Sequence, residues 1–189
     1  MPLDRRDFFL NVLGIGAAAA TTAVGAGAFR GEAGRLPIRP PGALPEEDFL
    51  STCIRCQRCA DACPNHCIKA TPESAGPARA GTPLIQPREQ ACMLCSRVDT
   101  EYLRCTEACP SGALQLVAKT LVDIQQKVRL GVATVDTSLC YSYTDFVCGT
   151  CLKACPVGAL KTGMWARPIV DSDACVGCGL CERDRKSVV

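Results

Sequence analysis

The stretch Cys53-Ile54-Arg55-Cys56-Gln57-Arg58-Cys59-Ala60-Asp61-Ala62-Cys63-Pro64 sets three cysteines three residues apart, a fourth four residues further on, and a proline directly behind it. Nothing else in the chain restricts its fold so strongly. Two-residue gaps put three thiolates on one tight loop, where they can reach three corners of a single cubane, and this is the bacterial run for holding a [4Fe–4S] cluster. The fourth cysteine, already turning into a helix, points toward a neighbouring cluster. One such run therefore implies a second.

The remainder of the chain supplies more than one. Cys92 and Cys95 stand ahead of Cys105 and Cys109-Pro110; Cys140 stands ahead of Cys148, Cys151 and Cys155-Pro156; and Cys175, Cys178 and Cys181 close the series. Two of the runs share a tail, Cys109-Pro-Ser-Gly-Ala-Leu114 and Cys155-Pro-Val-Gly-Ala-Leu160. The four motifs are read as two pairs, the first with the second and the third with the fourth. The sixteenth cysteine, Cys67, stands four after Cys63, where the other tails carry Ala113 and Ala159. That alignment makes it a small buried residue beside a cluster rather than a ligand.

Cysteine, at 16 of 189 residues, is above the level that marks a metal or disulfide scaffold, and aromatics are only 5%. Clusters must then replace much of an ordinary hydrophobic core, and ligand binding becomes folding free energy. The formal charge of +2 counts neutral thiols. Four complete clusters, each carrying −2 with its thiolates, would bring the chain to roughly −6. Nucleic-acid binding therefore has little support, and the scattered Arg55, Arg58 and Arg79 read as a solvated face.

Residues 1–28 read as an export signal, with Arg5 and Arg6 ahead of Phe8, Phe9 and Leu10, followed by a Gly/Ala-rich apolar run. They resemble a twin-arginine (Tat) signal. Ala26-Gly27-Ala28 fits cleavage before Phe29, with a retained membrane anchor as the alternative. Tat export carries folded proteins, as a chain loaded with clusters in the cytoplasm would require. The expected location is the periplasm, with the Tat machinery as a partner.

Residues 29–48, rich in Gly and Pro, read as an extended linker whose last residues enter a short helical lead-in at 46–50. Residues 75–83 form a loop too rich in breakers for a helix or a central strand. Short strands are expected at 84–87, 114–117, 131–135 and 168–171, and a helical piece at 120–126.

Taken with the segment Thr82-Pro-Leu-Ile-Gln-Pro-Arg-Glu-Gln-Ala-Cys92-Met-Leu-Cys95, the twin arginines and the four cysteine motifs resemble the ferredoxin-type proteins associated with periplasmic nitrate reductase and methylamine utilisation, the MauM/NapG group. The resemblance implies an α+β fold of tandem ferredoxin-like two-cluster modules with little regular secondary structure, module one over 49–118 and module two over 119–189.

By resemblance to two-cluster ferredoxins, fourth ligands are exchanged within each pair. Cluster one would take Cys53, Cys56, Cys59 and Cys109; cluster two Cys63, Cys92, Cys95 and Cys105; cluster four Cys155, Cys175, Cys178 and Cys181. Cluster three has only Cys140, Cys148 and Cys151, because Arg185 stands four after Cys181 where its partner is expected. The expectation is a truncated or frame-shifted C-terminus. Otherwise the third site is a [3Fe–4S] centre, uses a non-cysteine ligand, or is absent.

An exported chain with an even cysteine count also raises a disulfide framework, and paired CxxC motifs raise zinc ribbons. A disulfide framework does not explain the three CxxCxxC-type runs, the Cys-Pro pairs or a folded-export signal, and the third cysteine of the first and fourth motifs with the Cys-Pro endings argues against zinc ribbons. His66 reads as a surface group in a turn, and Trp165 and Tyr141 as covers over cluster faces. No Ser-His-Asp set, paired-carboxylate site or phosphate loop of recognisable form is present.

The resemblance implies a polyferredoxin that passes single electrons between a membrane quinol-oxidising partner and a periplasmic redox enzyme, with no bond chemistry of its own. The alternatives are a maturation factor for a periplasmic oxidoreductase and the electron-transfer subunit of a larger one.

Overall fold

The computed structural model describes residues 36–144, 146–184 and 187–188. The twin-arginine segment, the start of the linker and Arg185 lie outside the described residues. Among the described residues no helix is long and apolar enough to cross a membrane. Pro37–Val189 make one compact unit.

Regular structure comes in short pieces: α1 (Glu46–Thr52), α2 (Arg58–Asp61), β1 (Ile68–Ala70), β2 (Pro83–Ile85), α3 (Arg104–Glu107), α4 (Leu121–Lys127), α5 (Thr150–Ala154), β3 (Leu160–Thr162), β4 (Pro168–Val170) and α6 (Leu180–Asp184). The strands pair twice and antiparallel. β1 meets β2 with Ile68 opposite Ile85, and β3 meets β4 with Leu160 opposite Val170. The two halves repeat one plan: a cysteine run, its tail, a two-stranded ribbon, and a second run. In each half two short helices also pack together, α2 on α3 and α5 on α6.

The expected strands at 84–87 and 168–171 correspond to β2 and β4, each one residue or so displaced. Of the other two, 114–117 contributes a single bridge from Leu114 to Ala43, and 131–135 a single bridge from Val135 to Val188. Flanking backbone bonds add to these bridges, the Gln115 N–H to the Gly42 carbonyl and the Asp136 N–H to the Ser187 carbonyl, without building a strand. The expected helical piece is α4, and its start has a local cause: the Thr120 hydroxyl accepts from the Asp123 backbone N–H. The Asp123 carboxylate in turn accepts from the Ala118 N–H.

Residues 37–45 carry no helix or strand, as a Pro-rich linker should, yet they are packed. Arg39, only 8% exposed, donates to both oxygens of Glu46 at 2.9 and 2.8 Å, to the Thr82 hydroxyl at 2.8 Å and to the Pro83 carbonyl at 2.8 Å. Its guanidinium also lies 4.7 Å over the Phe49 ring. A single arginine with its partners supplied by α1, by the start of β2 and by Thr82 just ahead of it closes the segment down on the first half.

The core holds few large side chains: Phe49, Leu103, Val117, Val128 and Val176 are among the largest fully buried ones. Cysteines complete it. One continuous cluster runs from Phe49 through Cys63, Cys92 and Cys105 to Val176 and Cys178, so both halves share a single interior.

Candidate metal centres

Three of the four expected cysteine sets surround cavities. Site one, ≈ 20 Å³, is lined by Cys53, Cys56, Cys59 and Cys109, with Phe49 and Pro83 behind them. Site two, ≈ 20 Å³, is lined by Cys63, Cys92, Cys95 and Cys105, together with Cys67. Site four, ≈ 80 Å³, is lined by Cys155, Cys175, Cys178 and Cys181. In each, one cysteine comes from the other run of its pair. The third set is looser: Cys140 and Cys148 lie near enough for their charges to raise the Cys151 thiol, after burial, while Cys148 opens on a wide surface hollow with Tyr141, Phe146 and Val147.

No disulfide links any of the sixteen cysteines. Among the described residues no three His, Cys, Asp or Glu side chains converge closely enough to share a single metal ion. Zinc would draw four sulfurs to one point at about 2.3 Å. These thiols stand around a space instead, which fits a polynuclear centre bound at its corners, and an all-thiolate donor set is what iron–sulfur clusters take.

The tails show how the chain prepares its sulfurs. The Cys109 sulfur accepts from the Leu114 N–H at 3.4 Å, and the Cys155 sulfur from the Ala159 N–H at 3.3 Å. Folding these amides back requires a left-handed residue three after each cysteine, and Gly112 and Gly158 provide it with φ of 76° and 66°. His66 takes the same place after Cys63 with φ 47°. The sequence reading missed this role for His66, although the alignment of the three tails contained the signal.

Backbone amides also face sulfurs inside the runs, from Leu94 to Cys92 and from Leu180 to Cys178. Such inward-turned N–H groups form a concavity for negative charge. The first run pays for its turns with left-handed backbone at Arg55 and Gln57. Both are held by the breaker-rich loop: Arg55 donates to the Pro77 and Ala78 carbonyls, and Gln57 to the Gly81 carbonyl.

The thiols divide by environment. Burial pushes Cys59 up to about 11, Cys178 to about 12 and Cys181 to about 11, and lifts Cys105 well above its ordinary value. Such groups keep their protons at neutral pH unless a metal displaces them, so cluster binding, proton release and folding are coupled here. Cys63 is lowered to about 5, first by its side-chain hydrogen bond with Cys67, against burial, and further by the amides of Cys67, Asn65 and Ile68. At Cys109 burial raises the thiol, but amides from Leu114, Ser111 and Gly112 and the Ser111 hydroxyl together outweigh it.

Cys67, 2% exposed, lies with its sulfur 3.5 Å from that of Cys63. It is buried beside a site, as its alignment with Ala113 and Ala159 implies. The reading of Trp165 as a cover is corrected: it is 80% exposed at the tip of the β3–β4 ribbon and lines none of the three thiol cavities. Tyr141, in the short turn after Cys140, is 63% exposed and lines the hollow onto which Cys148 opens.

Comparison with known proteins agrees with this geometry. A family described as "4Fe-4S dicluster domain" matches residues 52–113, the first pair of runs. The chain is 36% identical over 193 residues to the methylamine utilization ferredoxin-type protein MauM of Methylophilus methylotrophus, covering 95% of this chain and 81% of that one. It is 35% identical over 194 residues to the ferredoxin-type protein NapG of Escherichia coli, covering 95% and 80%. Against MauM of Methylobacillus flagellatus the identity is 36% over 156 residues, 77% of this chain but only 62% of that relative's length. Fifteen cysteines in four runs, thiol-lined cavities and these relatives lead to one assignment: the chain belongs to the MauM/NapG family of ferredoxin-type iron–sulfur proteins.

Proposed function

We propose that the protein is a polyferredoxin that carries single electrons between a membrane quinol-oxidising partner and a periplasmic redox enzyme. Its two tandem two-cluster modules span 49–118 and 119–189, and its ligands are the fifteen cysteines other than Cys67. The observation that carries this reading is the crossed lining of the cavities, where Cys109 joins Cys53, Cys56 and Cys59, and Cys63 joins Cys92, Cys95 and Cys105. Cys155 with Cys175, Cys178 and Cys181 repeats it in the second half. Rings of thiols with inward amides, wholly buried at site two and partly exposed at site one, suit a centre that changes charge by one electron and makes no bonds. The twin-arginine segment supports a periplasmic destination.

An anaerobic reductive titration followed by electron paramagnetic resonance tests it. Reduced-cluster signals should appear in one-electron steps and vanish when a one-electron acceptor is added. A chain that remains silent at every potential, or that takes up electrons only in pairs, has another function.

A further inference from the structure

The four sites follow one another along the sequence, but the fold joins them differently. The halves meet where the Cys92 backbone N–H donates to the Cys178 carbonyl at 3.0 Å. Cys92 belongs to site two and Cys178 to site four. Beside that bond Arg88 of the first half reaches Glu182 of the second at 2.8 Å. Gly179 lies so close to Pro87 that a Cβ there would run into the proline ring. Pro87, from the first half, and Ile38, from the segment packed onto it, line the site-four cavity itself.

Within each half the neighbours are also defined. α2 and α3, which carry Cys59 of site one and Cys105 of site two, pack together. α5 and α6, carrying Cys151 of site three and Cys181 of site four, do the same, and those two cysteines share one buried cluster.

From this seam we infer that electrons cross between the halves from site two to site four, so that the relay runs one–two–four–three and sites one and three are its ends. The inference rests on the iron–sulfur reading above. In the crossing step iron at one site is oxidised as iron at the other is reduced; no bond is made or broken and no proton moves. A reduced one-electron donor at either end supplies the electron. The Cys92 N–H to Cys178 carbonyl bond gives a direct covalent-and-hydrogen-bond route between a residue of site two and a residue of site four.

The test uses spin coupling in the reduced full chain. A variant without sites one and three (Cys53→Ala, Cys56→Ala, Cys148→Ala and Cys151→Ala) leaves only the two sites at the seam. Its iron content should be about half that of the unaltered protein, and its paramagnetic spectrum should show splitting or broadening from interaction between two clusters. Two superposed, non-interacting signals would overturn the relay order while leaving the iron–sulfur reading intact, whereas a wild-type chain without iron would overturn that reading itself. If the four-site variant does not fold, single variants decide: Cys178→Ala should relax the coupling felt by site two, and Cys148→Ala should leave it unchanged. The reverse pattern would place site three next to site two and refute the inference.

Discussion

Arg39→Ala should loosen site one although Arg39 touches no cysteine. The side chain closes residues 37–45 onto the first half, with four hydrogen bonds and a stack on Phe49. Phe49 and Pro83 are the wall behind the site-one thiols. Deleting one member of a buried ion pair costs about 3–5 kcal/mol, chiefly because its partners are left desolvated and unpaired. Glu46 keeps a second contact with Arg79 at 3.3 Å, which places the loss at the lower end. A cost of about 3 kcal/mol corresponds to roughly a hundredfold rise in the locally open population. Anaerobic iron release to a ferrous chelator reads that population, and urea unfolding followed by visible absorbance reads the global loss. The fast phase should belong to site one. Arg39→Lys should fall between, since an ammonium keeps charge but loses the planar fork and the ring stack. The Arg39 hydrogen bond holds the Glu46 carboxyl below its ordinary 4.5, so this contribution is present above that value and disappears as the pH falls through the lower folded value. The alanine variant should lose most of that acid-side dependence and keep only the smaller part that Arg79 supplies. Unchanged iron release and an unchanged urea midpoint in Arg39→Ala would refute the reasoning.

Cys109→Ala should abolish site one and spare site two, despite its position in the second run; iron analysis with paramagnetic resonance checks this, and loss of site two instead would contradict the crossed pattern. Cys67→Ala, which copies Ala113 and Ala159, should lower the reduction potential of site two alone, because it removes an S–H donor beside Cys63 that favours the more negative reduced state. An unchanged potential in a redox titration would show that the thiol only fills space. Changing Arg5 and Arg6 together to lysine should leave cluster-loaded protein in the cytoplasm, and fractionation that still finds it in the periplasm would remove the twin-arginine reading.

The cysteine pattern was legible because cluster ligation imposes its geometry on adjacent residues: a two-residue gap is a local constraint, visible without knowing the fold. The short strands before Cys92 and Cys175 and the helical piece at α4 were legible from local residue pattern, whereas the Thr120 cap was not read. Arg39 was not, since Gly and Pro mark an extended backbone but say nothing about one cation whose partners lie on α1 and at Thr82 and Pro83. Neither was the seam, because Gly179 against Pro87 and Cys92 against Cys178 are meetings of residues about ninety positions apart. Trp165 misled because a large aromatic in a chain short of them suggests burial, whereas its place at a ribbon tip turns it outward.

Iron and acid-labile sulfide per chain, measured on anaerobically purified protein, test the central claim most directly. Three complete sites give about twelve of each, and the Cys140, Cys148 and Cys151 set brings iron to about fifteen or sixteen. Protein free of iron, with its thiols oxidised in pairs, would contradict the account and leave a disulfide scaffold in its place.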